Sequence, residues 1–192
     1  MRLFLILFAL LAACKSNENQ GKESDAPIVF KSEKAPYELA LEGPWELVDA
    51  SALNSHADIA ANYQNVLFFI VIPQTLPDIP GTPPPDALAL KRASLSVLEE
   101  QIQDFKIDKQ APLKIAESTG HSVFASGLSE GSKVRYVATY LTRDTWGFQI
   151  VGWGPETHHT LLLAETDKIL ASWKFTDSKP QIQPDIQEPT AD

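Results

Sequence analysis

The chain has 192 residues, 44% of them hydrophobic and 9% aromatic, enough for one packed domain and too apolar for a wholly disordered chain. A formal charge of −9 argues against the basic surface on which a nucleic-acid binder releases phosphate counterions. The single cysteine excludes an internal disulfide and any zinc site built on several thiolates.

The chain opens with Met1-Arg2, an apolar run from Leu3 to Ala13, and then Cys14. A helix over that run spans about 16 Å, roughly half of a ~30 Å hydrocarbon core, so it is a signal segment (1–13) and not a membrane span. The stretch Leu11-Ala12-Ala13-Cys14 resembles the lipobox of bacterial lipoproteins. The resemblance implies cleavage before Cys14 and acylation of that residue, with membrane affinity supplied by the lipid at about 0.8 kcal/mol per buried methylene. The ordinary alternative is a secretory signal with a chance cysteine. The lipobox reading places the chain in the cell envelope. Lys15, where an Asp favours the inner membrane in enteric-type bacteria, leans toward the outer membrane, facing the periplasm, in a Gram-negative source.

Residues 14–35 read as the lipidated cysteine and a flexible tether, about 25 Å end to end on random-coil scaling. Within it Ile28-Val29-Phe30 reads either as an edge strand or as an apolar spot in a linker. At the other end, residues 177–192 carry Pro180, Pro184 and Pro189 with an acidic excess and read as a disordered tail. The globular domain is then 36–176.

Inside it, Tyr37 to Leu41 reads as a strand and Ala50 to Tyr63 as a helix, with Leu53, Ala57 and Ala60 on one face. The run Val66 to Ile72, rich in β-branched and aromatic residues, predicts a strand buried on both faces. The proline-rich stretch from Pro73 to Asp86 predicts an extended loop. Asp86 caps a long helix with Leu88, Leu95, Leu98, Ile102 and Phe105 at helical spacing. Strands follow at Lys114 to Ser118, His121 to Leu128, Lys133 to Thr142 and Trp146 to Trp153, separated by short breaks that include Ser118-Thr119-Gly120. Pro155 opens a last helix that ends near Ala171 and buries Leu162, Leu163, Ile169 and Leu170. The order predicts an α+β fold in which a mostly antiparallel β-sheet of about six strands is sandwiched between helices.

Catalytic motifs are missing. The chain has no His-Glu-x-x-His, Gly-x-Ser-x-Gly, Walker or EF-hand pattern, and Gly152-Trp153-Gly154 lacks the third glycine of a dinucleotide loop. Adjacent His158 and His159 point about 100° apart on a helix and are poorly set to share a metal. No metal or cofactor is expected. A Ser-His-Asp site requires His56 or His121 to meet a Ser and an Asp in space. One candidate partner surface is Lys133, Arg135 and Arg143 on one strand face, with Trp146 at the following turn. Local salt bridges are the ordinary explanation of such a stripe. The stiff segment Leu76 to Pro85 is either a polyproline ligand or a rigid connector.

The pattern from Tyr37 to Phe175 resembles the PsbP-like superfamily, which includes DcrB-like envelope lipoproteins. The resemblance rests on a first strand running into Gly43-Pro44-Trp45 and a long helix Asp86–Ile107. It rests also on the aromatic hairpin Tyr136…Tyr140…Trp146-Gly147-Phe148 and the ending Ile169-Leu170-Ala171-Ser172-Trp173-Lys174-Phe175. It implies an antiparallel sheet between helices and a role as assembly factor, adaptor or chaperone-like binder without a shared catalytic site. The expectation is a non-enzymatic cell-envelope lipoprotein that binds an envelope protein partner and the membrane through its lipid, with no nucleic acid. The alternatives are a small-ligand binder, with a pocket between the sheet and the long helix, or a periplasmic hydrolase.

Overall fold

The computed structural model describes residues 26–77, 80–81 and 86–177. The expectations for the signal segment 1–13, for Cys14, for most of the tail 177–192 and for much of the proline-rich loop fall outside those residues.

Four antiparallel strands build the centre. They are β5 (Leu67–Thr75), β7 (Ser118–Ser129), β8 (Ser132–Arg143) and β9 (Trp146–Pro155). With β3 (Trp45–Val48), β4 (Ile59–Tyr63) and β6 (Gln103–Ile115) they form a seven-stranded sheet in the order β3-β4-β5-β9-β8-β7-β6. A small second sheet has the order β1-β2-β10, from Ile28–Lys31, Tyr37–Leu41 and Lys174–Phe175. Every strand pairing among the described residues is antiparallel.

Helices cover both faces of the large sheet, as the two-sided apolar run in β5 requires. Phe69 and Val71 join one core with Tyr37, Leu39, Leu141, Phe148, Leu162 and Trp173, under α3 (His159–Ser172) and the small sheet. Ile70 and Ile72 join the other with Leu90, Leu98, Val123, Ala138 and Tyr140, under α2 (Ala87–Gln101). The α2 start is the expected one: the Asp86 carboxylate accepts the Ala89 N–H at 2.8 Å, filling one orphan donor of the first turn. The architecture is α+β, with ten strands in two sheets among the described residues where about six in one were expected.

Four expectations are corrected. Residues Ala50 to Tyr63 are not one helix: α1 covers Ala50–Leu53, and Ile59–Tyr63 is strand β4, with Ala60 and Ala61 buried on its opposite faces. The helix drawn over Asp86–Ile107 stops at Gln101, where the Ile102 N–H closes on the Leu98 carbonyl and the chain turns into β6. The turn expected at Ser118-Thr119-Gly120 lies at Ala116-Glu117, both with positive φ (43° and 69°), and β7 already starts at Ser118. The tether drawn to residue 35 ends earlier. Ile28–Lys31 pairs with β2, and Ser32 and Ala35 are buried.

Candidate functional site

Strand period 2 puts Lys133, Arg135 and Arg143 on one face of β8, but the ten steps between the first and last cover roughly 33 Å. The structure divides them. At the first end the Arg135 guanidinium donates to Asp108 and Glu156, each at 2.6 Å, and Lys133 lies 3.7 Å from Glu156. Asp108 also faces Lys106 at 3.7 Å. The hydrogen bond from Arg135, helped by the charges of Arg135 and Lys133, holds the Glu156 carboxyl below its usual range. This cluster is a paired surface network that pins the start of the last helical segment, the 3-10 turn Glu156–His158, to the sheet.

At the other end Arg143 lies over the Phe175 ring at 4.8 Å and 3.8 Å from an exposed Asp144. Trp146, half-buried, stacks on Phe148 with centroids 6.4 Å apart. Arg143 and Trp146 are cross-strand partners and form one small cationic-aromatic patch.

His121 has Pro112 and Tyr140 as its cross-strand neighbours. The nearest Ser–Asp contact is direct: Ser32 Oγ donates to Asp58 at 2.6 Å, and Tyr37 OH donates to the same carboxylate oxygen at 2.8 Å. A nucleophilic serine instead gives its proton to an imidazole. Asp58 is a structural hub that ties the β1–β2 connection to the segment before β4. Among the described residues no group of three His, Cys, Asp or Glu side chains is set to hold a metal.

Sequence reasoning missed two features. Glu165 on α3 is buried, accepts the Trp45 indole N–H at 3.2 Å and pairs with Lys168 at 2.7 Å. The hydrogen bond to Glu165 raises the Lys168 ammonium above its ordinary value. Residues 120 apart in sequence carry no local signal for this. The second is an open groove of about 470 Å³ between β6 and the C-terminal end of α3, lined by Leu113, Lys114, Ile115, Ala116, Asp167, Leu170, Ala171 and Trp173. It lies beside α3, whereas the pocket expected from sequence lay under the long helix α2.

No family model matches the chain, and no curated protein matches it. Solved structures do. LpqN of Mycobacterium tuberculosis, described as involved in cell envelope biogenesis, matches at TM-score 0.61 and 13% identity, over 81% of this chain and 92% of LpqN. Cyanobacterial PsbP from Synechocystis sp. PCC 6803 matches at TM-score 0.61 and 12% identity, over 86% of this chain and 98% of that one. At such identities the likeness is one of fold. The domain has a PsbP-like α+β fold.

Proposed function

We propose that this chain is a non-enzymatic, lipid-anchored protein of the cell envelope that binds another envelope protein as an adaptor or assembly factor. The observation that carries the reading is the likeness in fold to LpqN, a protein of cell envelope biogenesis, in a chain whose Leu11-Ala12-Ala13-Cys14 resembles a lipobox. Cys14 is the attachment point, and the outer membrane facing the periplasm is the destination in a Gram-negative source. The candidate contact is the patch of Arg143 and Trp146, whose cation lies over the Phe175 ring and has a long ion pair to an exposed carboxylate. Lys133 and Arg135 lie at the far end of β8, where both already face Glu156, and are not part of this patch.

The test is fractionation and crosslinking in cells. The Cys14→Ala variant should leave the membrane fraction, and persistence there overturns the anchor. A photo-crosslinking residue at Trp146 should give a discrete protein adduct that Arg143→Glu abolishes. Recovery of abundant porins alone overturns the adaptor reading.

A further inference from the structure

The large sheet ends at β6, whose outer edge has no strand beside it among the described residues. The turns fix which way each backbone group on that edge points. Ile115 and Ser118 flank the two-residue turn Ala116-Glu117, and the pair flanking such a turn exchanges both of its hydrogen bonds. Bonding then alternates, so Ile115, Leu113, Ala111 and Lys109 bond to β7, while Lys114, Pro112 and Gln110 aim outward. The far end of β7 gives the same phase independently. There Ser129 and Ser132 flank the turn Glu130-Gly131, so the odd-numbered residues of β7, His121 among them, bond to β8. Pro112 lies opposite His121 and therefore faces the open edge.

Pro112 thus removes the middle N–H of the outward row without costing the β6–β7 ladder a bond. Beyond it, the irregularity between Ile107 and Lys109 breaks the phase of the row. Carried on through β8 and β9, the alternation turns the odd-numbered residues of β5 away from β9. Strand β4 covers Leu67, Phe69 and Val71 of that row, and the next member, past the end of β4, is Pro73. Both uncovered strand stretches carry a proline at an outward position.

Charge guards the β6 edge as well. Two copies of β6 pairing antiparallel about Pro112 set Gln110 of each opposite Lys114 of the other. The Gln110 side-chain oxygen already accepts from the Lys91 ammonium at 2.7 Å. Lys91 and Lys114 of the second copy then meet with like charge, twice by symmetry.

We propose that Pro112, Lys114 and Lys91 close the β6 edge to a second copy of the chain, and that Pro73 closes the uncovered end of β5. The device keeps the domain from joining sheet to sheet, and a partner is then recruited by side chains and not by strand addition at β6. The inference does not depend on the anchor or on the adaptor role.

The experiment uses the full-length chain with Cys14→Ser as parent, so association through any other segment is common to all variants. Sedimentation velocity and amide exchange are read together. Pro112→Val restores the central N–H, and Lys114→Glu turns the repulsion into a pair with Lys91. The double variant should dimerise about ten-fold more tightly than either single variant, with the amides of Gln110 and of residue 112 newly protected. Association no greater than the parent's, or a dimer in which the Gln110 amide still exchanges freely, overturns the proposal. Pro112→Ala tests the geometry in the monomer, because it changes only an exposed group. The new amide at residue 112 should exchange about a hundred-fold faster than those of Ala111 and Leu113 beside it. Equal protection at the three positions means that the group faces β7, and also overturns the proposal.

Discussion

The two faces of the seven-stranded sheet are built differently. The α3 face is aromatic and closed over long sequence distances. Tyr37, Phe148, Trp173 and Phe175 contact one another as stacked, tilted or edge-on rings, and β10 returns to pair with β2. Its buried polar groups mostly have partners: Glu165 with Trp45, Thr139 with Ser122, Tyr37 with Asp58. The α2 face is largely aliphatic, and α2 lies on β6, β7 and β8, which follow it directly in the chain. There the Tyr140 hydroxyl is fully buried without a partner. Closure of the domain therefore rests on the first face, and the second is a lid laid down by its own sequence neighbours.

The largest effects should separate the faces directly. Phe148→Ala removes the ring that touches Tyr37, Trp173 and Phe175, and should cost about 3–5 kcal/mol in chemical denaturation. Leu98→Ala on α2 should cost about 2–3 kcal/mol, near the lower end for a large-to-small change, because a helix on one side of the sheet can settle inward. Equal losses would break the comparison.

One substitution made on both faces should then give opposite results. Tyr37→Phe deletes a hydrogen bond to a buried carboxylate and should destabilise by about 1.5–3 kcal/mol. Tyr140→Phe deletes a hydroxyl that bonds to nothing and should be neutral or stabilising by up to about 1 kcal/mol. A destabilised Tyr140→Phe would show that the hydroxyl has a partner in solution.

Alkaline titration sharpens the same point. Burial raises the Tyr136 hydroxyl to about 12, and it also raises those of Tyr140 and Tyr37, the latter with added help from the Asp58 charge. In each case the fold holds the proton more tightly than the unfolded chain does. This stabilisation is complete below the ordinary value of 10.0 and is lost as pH rises through the folded values, about 12 for Tyr136. Phenolate absorbance of these tyrosines should lag above pH 10 and then appear together with loss of tertiary signal. Their gradual ionisation in a folded chain would mean that the two cores admit water.

The sequence made legible whatever follows from local pattern. The Asp86 cap, the two-sided β5 run and the alternation in β7 to β9 all read correctly, because burial period and cap chemistry act within a few residues. It misled where tertiary packing overrides propensity. The alanines of β4 look helical, but they are there because β4 lies buried between β3 and β5. The segment after Gln101 continues the helical spacing through Ile102 and Phe105, yet Phe105-Lys106-Ile107-Asp108 also alternates, and strand pairing with β7 decides the matter. Of the candidate surface, the shared face of β8 was readable. Its division by paired carboxylates was not, since Asp108 and Glu156 come from other strands and turns. The groove was illegible because Leu113 and Trp173 are far apart in sequence.

The smallest expected effect lies at the hairpin tip beside that groove. Ala116 sits at φ 43° in a two-residue turn without glycine, a conformation that costs an L-residue about 1–2 kcal/mol. Ala116→Gly relieves that strain but returns about 0.5–1 kcal/mol through the greater freedom of glycine in the unfolded chain. The net gain should be about 0.5 kcal/mol, read as a rise in denaturation midpoint at unchanged slope. The β7–β8 turn supplies the control. Gly131 there has φ 77° and open space around its Cα, so Gly131→Ala should be destabilising through backbone strain alone. If Ala116→Gly instead destabilises, the tip is held by packing of the Ala116 methyl in the groove wall, and the edge of the α3 face is more rigid than its exposed strand implies.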